Sequence, residues 1–142
     1  MDRRTFVVAM AAAGALSLKA NATEQNSETV SAAGVYQLRV YHTYEGKLDD
    51  LLARFRNHTM RLFEKHGMRN VGYWVPTDEP LKGKTLFYML AHASREAADA
   101  SWKAFSSDPE WKKVSAASEV NGKLVEKVDS TFMTATDFSP HV

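Results

Sequence analysis

The chain has no cysteine. That absence excludes disulfides, thiolate metal sites, iron–sulfur clusters and a cysteine nucleophile. Neither charge dominates: 18 basic residues face 17 acidic ones, a formal +1. Such a balance leaves no bulk electrostatic footprint for nucleic acid. Long hydrophobic runs are missing too. The N-terminal apolar stretch, residues 7–18, is broken by Gly14 and Ser17 and falls short of the ~20 residues a spanning helix needs. Glycine-rich phosphate loops, a G-x-S-x-G elbow and an H-E-x-x-H pair are absent. The histidine pairs His58/His66 and His42/His92 lack the i, i+4 spacing of a helical zinc site, so no metal is expected. What remains, 142 residues with 44% hydrophobic and 25% charged, is an ordinary globular composition of one domain's length.

The first 22 residues read as an export signal. A charged start with Arg3 and Arg4, a short apolar stretch and the small-residue end Ala20-Asn21-Ala22 form the secretory pattern, with cleavage after Ala22. Arg3-Arg4-Thr5-Phe6 resembles the twin-arginine signal. Lys19 before the cleavage point discourages the general secretory route, the alternative reading. The expectation is therefore a folded protein exported to a bacterial periplasm, with no membrane anchor after cleavage. Removing 22 of 142 residues leaves 120, with 15 basic and 16 acidic residues, a net −1. Residues 23–33 are polar and small, a flexible linker.

Residues 34–140 read as one α+β domain. Residues 35–44 are rich in β-branched and aromatic side chains and predict a strand, with Tyr36, Leu38 and Val40 on one face and Gln37, Arg39 and Tyr41 on the other. A long helix follows between Gly46 and Gly67. Its apolar stripe is Leu48, Leu51, Leu52, Phe55, Leu62 and Phe63. Residues 68–75 and 85–92 predict an antiparallel hairpin. Ser94 caps the next helix, with Ala98, Trp102 and Phe105 inward. Asp108-Pro109 restarts a helix with Trp111 and Val114 inward, both tryptophans counting as core. Residues 124–134 form a last strand. The order β-α-β-β-α-β is the ferredoxin-like arrangement.

Six segments then carry a resemblance. They are Tyr36-Gln37-Leu38-Arg39-Val40-Tyr41, Gly46-Lys47-Leu48, Phe63-Glu64-Lys65-His66-Gly67, Val71-Gly72-Tyr73-Trp74, Ser107-Asp108-Pro109-Glu110-Trp111, and the tail through Ser130-Thr131-Phe132 to Phe138-Ser139-Pro140. In this order they resemble the NIPSNAP family. The resemblance implies a dimeric αβ barrel, in which the sheets of two protomers meet face to face. A four-stranded sheet with helices on one face does have a second face to bury. On the first strand that second face would carry Arg39 and Tyr41.

The candidate site follows from side-chain chemistry. Arginine suits a carboxylate or phosphate and tyrosine adds a hydroxyl donor, so Arg39 and Tyr41 would orient an anionic or phenolic ligand, or make an interface salt bridge. Tyr73, Trp74 and Tyr88 would line an apolar pocket or, as aromatics on strands more often do, pack as core. His58, at the border of the apolar stripe, would reach the helix–sheet space as proton shuttle or ligand, or be bonded to a backbone carbonyl. His66 would complement a helix C-terminus. Two functions follow: a homodimeric module binding a small molecule with cofactor unknown, or an enzyme. Dimeric αβ barrels include cofactor-free monooxygenases and haem-binding degradation enzymes, and in that reading His58 is the catalytic candidate on a small aromatic substrate.

Overall fold

A computed structural model describes residues 34–142. The signal segment 1–22, with Arg3, Arg4 and Phe6, and the linker 23–33 lie outside the described residues.

Strand β1 (Val35–Thr43) is followed by helix α1 (Leu48–Arg54), a π-helical turn (Phe55–Thr59) and helix α2 (Met60–Lys65). Then come β2 (Arg69–Trp74), β3 (Thr85–His92), α3 (Arg95–Ser107), α4 (Pro109–Ser118) and β4 (Val125–Met133). The four strands form one antiparallel sheet in the order β2-β3-β1-β4, the ferredoxin-like order. The helix starts obey local chemistry. Ser94 Oγ accepts from the Ala97 N–H at 3.0 Å, and Asp108 Oδ1 accepts from the Glu110 N–H at 2.8 Å with Pro109 at the first turn. Gly67, at φ +82°, closes α2 in the left-handed region.

The apolar stripe packs as expected. Leu48, Leu51, Phe55, Leu62 and Phe63 are buried against Leu86, Tyr88 and Leu90 of β3. Tyr88 is at the centre, with ring centroids 5.1 Å from Phe55 and 5.3 Å from Tyr73. Burying side chains of this size stabilises by about 1.5–3 kcal/mol each.

Two expectations are corrected here. Alternation on β1 holds, but the faces are exchanged. Gln37, Arg39 and Tyr41 pair across to Leu90, Tyr88 and Leu86 and lie under the helices. Tyr36, Leu38 and Val40 share the open face with Phe87 and Met89. The reason is that Gln37 and Arg39 find partners inside, whereas the open face takes the more apolar set. The long helix is also not uniform. In the π turn the Met60 N–H reaches back to the Phe55 carbonyl, one residue beyond the α-helical partner. That extra residue brings Thr59 to the buried side and rotates His58 away from Phe55, into solvent.

Candidate functional site

Between sheet and helices runs a polar layer built on β1. Arg39 Nε donates to the Tyr88 hydroxyl at 2.7 Å, and its Nη2 donates to the Tyr41 hydroxyl at 3.2 Å. The Tyr88 hydroxyl in turn donates to Tyr41 at 3.0 Å. Tyr41 thus accepts twice, and its own proton has no acceptor among the described residues. The guanidinium lies 4.3 Å from the Trp102 ring centroid, a cation–π contact. Among the described residues Arg39 forms no ion pair.

The electrostatics follow from burial and these partners. Burial works against the charge of Arg39, but the phenol oxygens of Tyr41 and Tyr88 outweigh it and raise its pKa. Burial pushes the Tyr88 hydroxyl well above its ordinary pKa, the nearby Tyr41 oxygen adds to this, and Arg39 opposes it. Burial raises Tyr73 as well. The cluster is therefore a fixed cation beside a Tyr88 phenol that burial keeps neutral.

A second group continues the layer along β1. Gln37 Oε1 accepts from Trp102 Nε1 at 2.8 Å and from His92 Nε2 at 2.9 Å. Because an indole N–H can only donate, the amide orientation is set, and Gln37 Nε2 donates to Ser130 Oγ at 2.9 Å. Burial lowers the His92 pKa, so the ring is neutral near pH 7 with its proton on Nε2. Its Nδ1 is buried without a partner. Sequence reading singled out neither Gln37 nor His92 for this role. The available signal was a glutamine two residues from Arg39, on the same face of a strand otherwise rich in aromatic and aliphatic residues.

Of the residues named from sequence, Arg39, Tyr41 and Tyr88 come together. Trp74 does not join them. It lies on the open face, 54% exposed, with its indole folded so closely over Gly72 that a Cβ there would fall 2.4 Å from the ring. His58 does not join them either. It is exposed and lines a groove of about 570 Å³ between the α1/π-turn helix and α4. The helix–sheet space it was expected to enter is filled by Phe55, Leu62 and Phe63, with Trp102 against them. The two tryptophans are half-buried rather than fully core: Trp102 carries Arg39, and Trp111 carries Arg54 at 5.1 Å.

Two further histidines, His66 and His42, are paired. His66 Nε2 lies 2.7 Å from Asp108 Oδ2, beside Lys65 Nζ at 2.7 Å from the same oxygen. His42 lies 3.0 Å from Asp129. Among the described residues no group of three or more His, Asp or Glu side chains is placed to hold a metal ion. No described helix is long and apolar enough to cross a membrane.

Comparison with known proteins agrees with this architecture. Residues 36–140 match the NIPSNAP family. No curated protein matches the chain. Among solved structures, a NIPSNAP family protein from Agrobacterium tumefaciens strain C58 is 23% identical, with a TM-score of 0.65 over 75% of this chain and 96% of its own. A NIPSNAP domain protein from Burkholderia xenovorans is 19% identical, with a TM-score of 0.63 over 75% and 98%. SnoaB, a cofactor-independent oxygenase from Streptomyces nogalater, shares the fold more distantly, at 14% identity and a TM-score of 0.51 over 78% and 100%.

Proposed function

The chain belongs to the NIPSNAP family, and on that premise we propose that its mature form is an exported homodimer that binds a small phenolic or quinone-like molecule at Arg39 and Tyr41. The observation that carries this reading is the cluster itself. A half-buried guanidinium with no ion pair among the described residues, beside a hydroxyl whose proton has no acceptor there, presents two donors to one incoming oxygen. A stability network alone would favour a carboxylate partner for such a charge. The aromatic wall of Tyr73, Tyr88 and Trp102 suits a flat ring.

The homodimer is supported by the open sheet face. Leu38, Val40, Phe87 and Met89 are half-buried in the protomer and share that face with the exposed Trp74. An apolar sheet face is covered in stable folds, and a two-fold pair is the commonest way to do so. Export to the periplasm rests on the signal-like residues 1–22.

A second reading is a cofactor-independent oxygenase acting on a small aromatic substrate, favoured by the shared fold with SnoaB. In it Tyr41 would carry the proton and Arg39 would hold the developing oxyanion. His58 takes no part, because it faces the outer groove. A haem-linked version would have to use His92, whose Nε2 is already held by Gln37 Oε1, leaving only the buried Nδ1.

Calorimetry with a panel of small phenols and quinones tests the proposal. The expected result is saturable binding, one ligand per protomer, weakened about tenfold or more by Arg39→Met and by Tyr41→Phe. Absence of any binder, or binding untouched by both substitutions, would overturn it. Oxygen uptake with a bound ligand separates the enzyme reading from simple binding.

A further inference from the structure

The outer groove is lined by residues other than those of the Arg39 cluster, although Arg54 in its wall lies near Tyr41 and Tyr88. Arg54, the last residue of α1, forms part of its wall and is 8% exposed. Its Nη1 donates to Ser118 Oγ at 3.2 Å, and its Nε is buried without a partner. Among the described residues it forms no ion pair. A buried charge left this way is costly unless something neutralises it. Burial lowers the pKa of Arg54, while an arginine remains a cation at neutral pH.

Around it the groove is divided by chemistry. Lys113 adds a second cation, and Asn57, His58 and Asn121 add polar edges. Ala53, Val114, Ala117 and Val120 give small aliphatic walls, with Val120 77% exposed. Asp50 supplies one negative charge. Among the lining residues two cations face one carboxylate, and Glu119 adds negative charge near Arg54, so the site suits a single negative charge and disfavours a dianionic phosphate. The π-helical turn bears on the same spot. Its extra residue, directly after Arg54, sets both Asn57 and His58 on the groove side rather than over the core. Such turns are found at functional sites more often than elsewhere.

We propose that this groove binds a short-chain aliphatic monocarboxylate, with the carboxylate on Arg54 and Lys113 and the chain along Ala53, Val114, Ala117 and Val120. The volume of about 570 Å³ lies within the range of small-ligand pockets. A small carboxylate reaching Arg54 would give the guanidinium a direct partner, which Glu119, near it but making no ion pair with it, does not supply.

Hexanoate titrated into isotopically labelled mature protein tests this by amide shifts. Saturable shifts should appear at Ala53, Asn57, Ala117 and Asn121. Arg54→Gln should weaken binding about tenfold or more, the loss of a charge-assisted hydrogen bond. Lys113→Gln, at an exposed position that does not threaten folding, should weaken it severalfold, while Lys103→Gln on α3 leaves it unchanged. Inorganic phosphate should compete poorly. No saturable shift in the groove, or equal losses for Lys113→Gln and Lys103→Gln, would overturn the proposal. Shifts confined to residues around Arg39 would overturn it too, and would leave the phenol site standing by itself.

Discussion

Replacing Tyr88 with phenylalanine removes one oxygen and almost no volume. In the protein that oxygen accepts from Arg39 Nε at 2.7 Å and donates to Tyr41 at 3.0 Å, inside a residue with no exposed surface. The bond to the guanidinium is charge-assisted and contributes about 1.5–3 kcal/mol; the bond to Tyr41 contributes about 0.5–1.5 kcal/mol. Because the ring stays, no cavity opens and no packing cost is added. Tyr88→Phe should therefore destabilise by roughly 2–4 kcal/mol. For a domain of this size that lowers Tm by roughly 10–25 °C. Urea unfolding measures it as a shift in midpoint at constant slope. The same substitution in an Arg39→Met background should cost only the bond to Tyr41, about 0.5–1.5 kcal/mol, because the charged partner is already gone. A cost within about 0.5 kcal/mol of zero in the parent protein would refute the reasoning. So would equal costs in the two backgrounds.

Other outcomes rest on contacts elsewhere in the fold. Asp108→Ala should lower the urea unfolding midpoint, through loss of the α4 cap and of the contacts to Lys65 and His66. Those hydrogen bonds, from Lys65 first and His66 next, hold the Asp108 carboxyl well below the usual carboxylate range. Its folded pKa is lower than its unfolded one, so its contribution is complete above the ordinary carboxylate pKa and lost as pH falls through the folded value. Acid unfolding of Asp108→Asn should show a shallower dependence there. Leu38→Asp on the open face should give folded monomers by light scattering. Replacing Arg3 and Arg4 with lysines should block export, whereas unchanged periplasmic levels would point to the general secretory route.

The parts of the fold legible in the sequence are those set by local chemistry. Ser94 and Asp108 cap helices because their oxygens reach N–H groups two or three residues on. Alternation on β1 was legible because it is a property of any strand. Which face turns inward was not, because both sets mix apolar and polar groups. Pairwise bonds over long separations decided it, such as Gln37 with Trp102 and with Ser130. The π-helical turn has no compositional signature, and it alone moved His58 from the stripe border to the outside. Arg54 was missed for a related reason. Three residues after Leu51 it sits on the stripe, where a cation reads as an exception, and its place against Trp111 emerges only when α4 packs on α1.

The central claim is that a small organic molecule is held at Arg39 and Tyr41 in a dimer. Native mass spectrometry of the protein purified from its native cells tests it most directly. The account predicts a dimer carrying one small organic molecule per protomer, lost from the Arg39→Met variant. A monomer, or a dimer whose retained mass is the same in that variant, would contradict it.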